Sequence, residues 1–278
     1  MSTKKVALVT GASSGIGADT ALRLKNAGYV VYGAARRISR MKDLERQGIN
    51  VIALDVTDGT SIRTAVDTII RESGQIDILV NNAGYGSYGA IEDVVLDEAR
   101  KQIEVNVFGL AHLTQLVLPH MRAKRSGTIV NISSMGGKLV TPLGGWYHAS
   151  KYAVEALSDA LRIETSQFGI RTVVVEPGSI RTEWGRIAAD TLRETATSTG
   201  AYAGIADGVA KTLAASSQTN ARNTSAPDVI GKTIVKIANS RRPRTRYRVG
   251  FGAGPVMFLR WLLPDRAFDR IIRTAFSV

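Results

Sequence analysis

A tyrosine and a lysine stand four residues apart in the segment Tyr147-His148-Ala149-Ser150-Lys151. In a helix, residues i and i+4 lie on the same face, so the phenol and the ammonium group are predicted to be neighbours. A nearby cation lowers the pKa of a phenol from about 10 towards the range in which proton transfer is efficient. The pair therefore fits a general acid and base that interconverts a carbonyl and an alcohol. Taken alone, it also fits an exposed tyrosine beside a solvated lysine.

A glycine-rich turn follows the first predicted strand. Residues 5–10 form an apolar run, residues 11–17 have the spacing G-x-x-x-G-x-G, and residues 19–28 have a helical pattern. Glycines let the backbone approach a pyrophosphate, and a helix N-terminus offers free N–H groups and partial positive charge. The spacing differs from the G-x-G-x-x-G of most dinucleotide folds. The segment nevertheless predicts a phosphate site for a dinucleotide.

Two arginines, Arg36 and Arg37, follow the second predicted strand, residues 30–34. NAD-specific proteins usually carry an acid here, which binds the ribose 2′-hydroxyl. Guanidinium groups instead bind a phosphate through paired, charge-assisted hydrogen bonds. We therefore expect NADP(H) to be preferred over NAD(H); the alternative is an exposed basic turn. The third predicted strand, residues 50–56, carries Asp55, which is well placed for the adenine edge.

The rest of the chain continues to alternate strands with helices. Predicted strands cover residues 76–80, 127–132 and 170–176, with a candidate seventh at 246–250, and helical patterns cover residues 58–73, 96–125, 147–168 and 227–240. Asp58 or Thr57 is the expected cap of the first of these helices. This alternation predicts an α/β fold with a doubly wound parallel sheet. The strands are apolar throughout, as expected for a sheet covered on both faces.

Polar side chains stand where several of these strands end. Asn81, Asn82, Ala83 and Gly84 follow the fourth strand, and Ser134 follows the fifth. Turns at the carboxyl ends of strands are where doubly wound sheets bind ligands. Asn106 lies inside a helical pattern, where asparagine is mildly unfavourable. It is either a functional residue or a polar residue satisfied within the core.

Composition narrows the class of protein. The chain has 278 residues, 44% of them hydrophobic, which suits one large α/β domain. It has no cysteine, which excludes disulfides and thiolate chemistry. The three histidines, His112, His120 and His148, are scattered, so no metal site is predicted. We expect no signal peptide and no transmembrane helix, and we expect the cytoplasm as the compartment.

Two segments do not continue the alternation of strands and helices. Residues 182–226 are rich in Thr, Ala, Ser and Gly, and we expect a mobile lid over a substrate pocket; the alternative is a peripheral insertion. Residues 251–278 form a tail that is both apolar and basic. From residue 241 onward, nine arginines and two aspartates give +7 of the total net charge of +12. We expect the tail to pack on its own domain; a partner subunit or an anionic membrane is the alternative. No nucleic-acid module is recognised.

Together the motifs resemble those of short-chain dehydrogenases/reductases. They are T-G-A-S-S-G-I-G at residues 10–17, Asp55, N-N-A-G at 81–84, Asn106, Ser134, Y-x-x-x-K at 147–151 and P-G at 177–178. The resemblance covers about residues 4–250. It implies a single Rossmann-type domain, residues 1–250, with seven parallel strands, a nicotinamide cofactor and a homo-oligomer (dimer or tetramer). The run at residues 81–93 and L-P-D at 263–265 are similar to hydroxysteroid- and retinol-dehydrogenase-like members, which implies a small hydrophobic alcohol or carbonyl substrate.

The resemblance also implies roles for four catalytic residues. Tyr147 gives a proton to the carbonyl oxygen as hydride arrives from the cofactor, or takes it in the reverse direction. Lys151 holds the nicotinamide ribose and lowers the pKa of Tyr147. Ser134 hydrogen-bonds the substrate oxygen. Asn106 positions a water that links Lys151 to solvent.

The cofactor-binding set implied by the resemblance spans the whole domain. The glycine motif lines the pyrophosphate and ribose, the two arginines take the 2′-phosphate, and residues beyond the Pro-Gly pair contact the nicotinamide carboxamide. The set comprises Gly11, Ser13, Ser14, Gly15, Ile16, Gly17, Arg36, Arg37, Asp55, Val56, Asn82, Ala83, Gly84, Tyr147, Lys151, Pro177, Gly178, Ile180 and Thr182.

The predicted function is therefore an NADP(H)-dependent oxidoreductase. It interconverts a hydrophobic alcohol and its ketone or aldehyde by hydride transfer, with Tyr147 as general acid and base. The alternative is a regulatory protein that keeps the fold and senses NADPH. No metal and no nucleic-acid partner are expected.

Overall fold

The fold is a seven-stranded parallel β-sheet with helices on both faces. The computed structural model describes residues 4–196 and 200–276. Positions 1–3 of the predicted domain, 197–199 of the predicted lid and 277–278 of the predicted tail lie outside the described residues. The strands are β1 Val6–Thr10, β2 Val30–Ala35, β3 Asn50–Ala53, β4 Ile78–Asn81, β5 Gly127–Ile132, β6 Ile170–Pro177 and β7 Arg246–Val249.

The strand order is β3-β2-β1-β4-β5-β6-β7, and every neighbouring pair is parallel. After β3 the chain crosses back over β1 and extends the sheet in the opposite direction. This switch point lies between β1 and β4, where open α/β sheets bind ligands beyond the carboxyl ends of their strands. The order confirms the predicted doubly wound, Rossmann-type sheet.

The helices of the described residues connect these strands and extend beyond them. They are α1 Gly15–Asn26, α2 Lys42–Arg46, α3 Gly59–Ser73, α4 Leu96–Ile103, α5 Gly109–Ala123, α6 Gly145–Thr165, α7 Trp184–Ala196, α8 Ala203–Ser216, α9 Asp228–Asn239, α10 Ala253–Leu262 and α11 Asp265–Ala275. Asp58 caps α3, and its Oδ1 accepts a hydrogen bond from the Thr60 N–H at 2.9 Å.

Hydrophobic cores lie on both faces of the sheet. Adjacent residues of a strand point to opposite faces, and in β1 Ala7 and Val9 join one core while Val6 and Leu8 join the other. The first core is closed by α1 and α9, the second by α3 and α5. Burial on both faces is the reason that the strands are apolar throughout.

Two element boundaries differ from the sequence predictions. β3 ends at Ala53 and not at residue 56, because Asp55 forms a local turn in which its Oδ1 accepts from the Thr57 N–H at 2.9 Å. The predicted helix over residues 96–125 contains a π-helical turn, Glu104–Phe108, between α4 and α5. Asn106 lies in this turn.

The segment at residues 182–226 contains two packed helices, α7 and α8. Their buried contact positions are mostly small, for example Ala188, Ala189, Ala206 and Ala210. Alanine allows the helices to approach closely but contrasts little with Ser, Thr and Gly in hydrophobicity. The weak contrast applies to α8. Helix α7 is amphipathic, with Arg186, Arg193 and Glu194 exposed and its alanines buried, so its helical pattern was present in the sequence.

The tail ends the fold with α10 and α11. Met257 of α10 and Phe268 of α11 are buried against Leu139, in a small cluster beside the loop after β5. Within residues 4–196 and 200–276, no helix is both long enough and apolar enough to cross a lipid bilayer.

Candidate active site

β1 leads through the glycine-rich turn directly to the N-terminus of α1. Gly11 has φ +66°, which favours glycine, and a Cβ on Gly17 would lie 2.3 Å from the Gly11 carbonyl oxygen. Within the described chain, the side chain of the N-cap residue Ser14 makes no hydrogen bond to the first turn. The first N–H groups of α1 therefore remain available to an anion. The turn fits a pyrophosphate.

Asn82, after β4, holds this turn from the neighbouring strand. Its Nδ2 donates to the Thr10 carbonyl oxygen at 2.9 Å. The backbone N–H groups of Asn82 and Ala83 donate to Thr10 Oγ1 at 3.0 and 2.9 Å. The N-N-A-G segment thus fixes the shape of the glycine turn, and its contact with a ribose stays a prediction.

Asn106 has all of its amide atoms bonded. Its Oδ1 accepts from the Tyr85 N–H at 3.1 Å, and its Nδ2 donates to the Tyr85 carbonyl oxygen at 2.9 Å and to Ser150 Oγ at 3.0 Å. A Cβ on Gly84 would lie 3.0 Å from Asn106 Oδ1 and 3.7 Å from Lys151 Nζ. Asn106 is therefore a satisfied buried residue that also lies beside the lysine, in a π turn of the kind often found at functional sites.

The other three predicted catalytic residues meet at the carboxyl end of β5. Ser134 follows this strand, and Tyr147 and Lys151 lie one turn apart on α6. The Ser134 hydroxyl lies within reach of the Tyr147 hydroxyl, and its Oγ accepts a hydrogen bond from the Gly136 N–H at 3.0 Å. Lys151 Nζ donates to the Ile132 carbonyl oxygen at 2.9 Å and lies 6.0 Å from the centroid of the Tyr147 ring. This arrangement puts two proton donors and a cation beside one another.

The pKa of Tyr147 is shifted in the direction opposite to the expectation. Burial raises the pKa of Tyr147 to about 12, and its hydrogen bond with Ser134 lowers that value only in part. Burial lowers the pKa of Lys151 to about 8, against the negative charge of Glu155. Loss of water around the phenol thus outweighs the stabilisation of the phenolate. The phenol of Tyr147 is therefore protonated at neutral pH.

Two aromatic residues that the sequence motifs did not indicate cover the ring of Tyr147. The centroid of the Trp184 ring lies 5.0 Å from that of Tyr147, and the Tyr88 centroid lies 5.9 Å from it. Only 7% of Tyr147 is exposed. A Cβ on Gly86 would lie 2.4 Å from Trp184 Cζ2, so this glycine makes room for the indole. The sequence feature that could have indicated this contact is Gly86, a glycine two residues after the N-N-A-G motif.

His148 fixes the loop that follows Ser134. Its Nε2 accepts from the Thr141 N–H at 3.0 Å, which leaves Nδ1 as the donor to the Gly136 carbonyl oxygen at 3.0 Å. Burial lowers the pKa of His148, in keeping with this neutral tautomer. The sequence had marked His148 only as one of three scattered histidines.

The arginine turn after β2 is solvent-exposed. Arg36 and Arg37 are both exposed. Burial raises the pKa of Asp55, but hydrogen bonds from Thr57 and the positive charge of Arg36 lower it by more, so the net shift is downward. Arg40, which the sequence motifs missed, pairs with Glu183 at 3.3 Å, just before α7. Arg36 and Arg37 therefore form an exposed basic surface. The ion pair between Arg40 and Glu183 joins this turn to the predicted lid.

The segment after β6 lies against the glycine turn. The Gly178 N–H donates to the Val249 carbonyl oxygen at 2.8 Å, and Ile180 pairs with Ser225 in a β-bridge. A Cβ on Gly15 would lie 3.1 Å from Thr182 Cγ2. The residues predicted near a carboxamide thus lie close to those predicted near the pyrophosphate.

Comparison with known proteins gives consistent matches. The family model described as short chain dehydrogenase matches residues 5–191. A 3-ketodihydrosphingosine reductase of Bacteroides thetaiotaomicron is 37% identical over 278 residues, which cover 99% of this chain and 98% of the relative. An NADPH-dependent 3-dehydrocapnine reductase of Ornithobacterium rhinotracheale is 40% identical over 192 residues, which cover 66% of this chain and 68% of the relative.

A solved structure agrees with these matches. The crystal structure of a short-chain dehydrogenase from Streptomyces avermitilis is 33% identical and has a TM-score of 0.81, with 100% of this chain and 97% of that chain covered. The family model matches more than half of the chain, and the Bacteroides relative matches nearly all of it. The chain therefore belongs to the short-chain dehydrogenase/reductase family of oxidoreductases.

Proposed function

We propose that this protein is an NADP(H)-dependent oxidoreductase that interconverts a hydrophobic alcohol and its ketone or aldehyde. The observation that carries the proposal is the convergence of Ser134, Tyr147 and Lys151 at the carboxyl end of β5. This group lies on the same edge of the sheet as a glycine turn that is open to a pyrophosphate. Proton donors beside a dinucleotide site suit carbonyl reduction better than storage or sensing of the cofactor.

Each side chain has a defined part in this chemistry. A nicotinamide cofactor, when bound, would supply or take up a hydride at the substrate carbon. The Tyr147 hydroxyl donates a proton to the substrate oxygen in reduction and accepts it in oxidation. Ser134 Oγ stabilises the charge that develops on that oxygen. Lys151 would stabilise the phenolate left on Tyr147 and hold the ribose of the cofactor. Asn106 would position a water that links Lys151 to solvent.

The pKa values predict how reduction depends on pH. We expect kcat/KM for reduction to fall as the pH rises through the Lys151 pKa of about 8. Below this value Lys151 is charged and stabilises the phenolate; above it that stabilisation is lost. Tyr147 is not the cause, because its pKa is about 12 and it stays protonated across this range. A pH profile of NADPH oxidation measures the effect, and a profile that stays flat from about pH 6 to about pH 10 contradicts it.

We infer that the substrate is a long-chain, amphipathic ketone or its alcohol. The cluster around Tyr147 is apolar and includes Tyr88, Trp184, Leu192 and Val209. Such a wall suits a hydrocarbon chain. The two named relatives are described as acting on 3-ketodihydrosphingosine and 3-dehydrocapnine. We also propose α7 and α8 as the substrate lid, since they contribute most of this cluster.

A panel of carbonyl compounds tests the function. The purified protein is mixed with NADPH or NADH and long-chain 3-keto amines, steroids, retinal or short aldehydes, and cofactor oxidation is followed. Turnover of the long-chain compounds with NADPH supports the proposal. Faster turnover of short, polar aldehydes contradicts the substrate class. No turnover, with NADPH still bound, favours the sensor alternative.

Replacing Trp184 should change substrate choice. We expect Trp184→Ala to raise kcat/KM for a steroid relative to a linear ketone by about tenfold, as is typical when a pocket wall is removed. The reason is that the indole lies over the Tyr147 ring at 5.0 Å and occupies the space beside it. Trp184→Phe keeps an aromatic ring and serves as the control. An unchanged ratio would place Trp184 outside the substrate pocket.

A further inference from the structure

The tail exposes a continuous set of large apolar side chains on α10. Phe258, Trp261 and Leu262 are spaced i, i+3 and i+4, so they share one face of the helix. Trp261 is 78% exposed, and its ring centroid lies 5.9 Å from that of Phe258. The opposite face, with Ala253 and Met257, is buried on the domain. We call Phe258, Leu259, Trp261 and Leu262 the apolar ridge.

The next helix adds positive charge beside the apolar ridge. Arg266, Arg270 and Arg273 are spaced i, i+4 and i+7 on α11, and all three are exposed. Within the described part of the chain, none of the three forms an ion pair. Arg260, by contrast, pairs with Asp265 at 2.7 Å. Arg266 follows Leu262 by four residues, so the two Cα atoms are at most about 14 Å apart.

This combination fits the surface of an anionic lipid bilayer. Exposed tryptophan and phenylalanine lie favourably at the boundary between headgroups and acyl chains. Unpaired arginines near that boundary bind the anionic headgroups. We propose that α10 and α11 dock this protein on an anionic membrane surface, with the apolar ridge in the boundary region and the three arginines on the headgroups.

A second copy of the chain fits this surface less well. A two-fold interface places the same patch on both subunits. Both copies would then bring the three α11 arginines into the interface, where the net positive charge of the two patches is unfavourable. A bilayer with negative headgroups satisfies both the apolar ridge and the charge.

The docking helices are adjacent to the substrate side of the protein. Met257 and Phe268 pack against Leu139, and Met135, the residue after Ser134, lies against the same cluster. Phe276, just after α11, packs against the cluster formed by α7 and α8. A docked protein would therefore hold the loop after β5 and the proposed lid, α7 and α8, close to the lipid. Docking itself does not depend on the proposed function.

Vesicle co-sedimentation of the full chain tests the proposal. The probes are vesicles of phosphatidylcholine alone and vesicles that also contain phosphatidylglycerol. We expect binding only to the anionic vesicles, with a blue shift of tryptophan emission that is missing in Trp261→Ser. The triple variant Arg266→Gln, Arg270→Gln, Arg273→Gln should bind about 100-fold more weakly, since each basic residue contributes about 1 kcal/mol.

Matched variants separate docking from general charge and from folding. Arg241, Arg242 and Arg244 are also exposed but lie outside the tail helices. Their triple change to Gln removes the same charge and should weaken vesicle binding far less. Thermal unfolding confirms that each variant folds, so the test needs no catalytic activity. Two outcomes overturn the proposal. In the first, both triple variants lose vesicle binding equally. In the second, the protein binds no vesicles but forms a dimer in gel filtration, and the Trp261→Ser variant dissociates that dimer.

Discussion

The Tyr147→Phe variant is expected to lose about a thousandfold in kcat for carbonyl reduction, within the range that a positioned proton donor contributes. The phenol of Tyr147 is buried, is protonated at neutral pH and lies beside the Ser134 hydroxyl. Phenylalanine keeps the ring and its contacts with Tyr88 and Trp184 but removes the proton. The fold and the cofactor site should remain intact. The measurement is single-turnover oxidation of bound NADPH with a saturating ketone.

Two controls make this result specific to proton transfer. The affinity for NADPH, measured by fluorescence titration, should fall far less than kcat, because the phenol is only one contact in the predicted cofactor-binding set. Ser134→Ala should also slow reduction, by about a hundredfold, through loss of a hydrogen bond to the developing charge. Tyr147→Phe turnover equal to that of the wild type would assign the proton donor to another group.

The Arg36→Ala, Arg37→Ala double variant is expected to bind NADP(H) at least about 100-fold more weakly. A hydrogen bond to a charged group contributes about 1.5–3 kcal/mol, and each factor of ten in affinity corresponds to about 1.4 kcal/mol. Both side chains are exposed at the end of β2, where they are free to bind a phosphate. NAD(H) has no 2′-phosphate, so its affinity should change by less than about threefold. Calorimetric titration with both cofactors measures the difference.

The adjacent pair Arg241 and Arg242 gives a matched control for this test. Both are exposed and distant in sequence from the cofactor-binding set. Their double change to Ala lowers the net charge equally and should leave NADP(H) affinity almost unchanged. Equal losses for NADP(H) and NAD(H) in the Arg36 and Arg37 variant would mean that these arginines act only through long-range charge. In that case, the Arg40→Ala variant tests whether Arg40 binds the 2′-phosphate of NADP(H).

The sequence predicted the sheet correctly, and it indicated most residues of the candidate site, because both depend on local patterns. Apolar runs mark strands that are buried on both faces, and glycine spacing marks a turn that excludes side chains. The i, i+4 spacing places Tyr147 and Lys151 on one face of α6 without reference to other elements. Asp58 as the cap of α3 is equally local, since the bond joins residues two apart.

Other features depend on residues far apart in the chain. Trp184 covers Tyr147 from α7, and Gly86 makes room for it, so three segments contribute to one contact. The role of His148 depends on tertiary contacts. Its ring bonds to Gly136 and Thr141, and these bonds hold the loop at residues 136–141 in place. Local patterns do not show which distant residues come into contact, and the alanine-rich helix α8 has too little contrast in hydrophobicity to indicate how it packs.

The sequence alone therefore determined the family motifs, the parallel sheet and the types of residue at the site. Tertiary structure decided the electrostatics, because burial depends on every element that covers a group. Spacing predicted a lowered pKa for Tyr147, whereas desolvation by the surrounding aromatic side chains raises it to about 12. Tertiary structure also decided which tail residues remain exposed, since the same helix buries Met257 and leaves Trp261 in solvent.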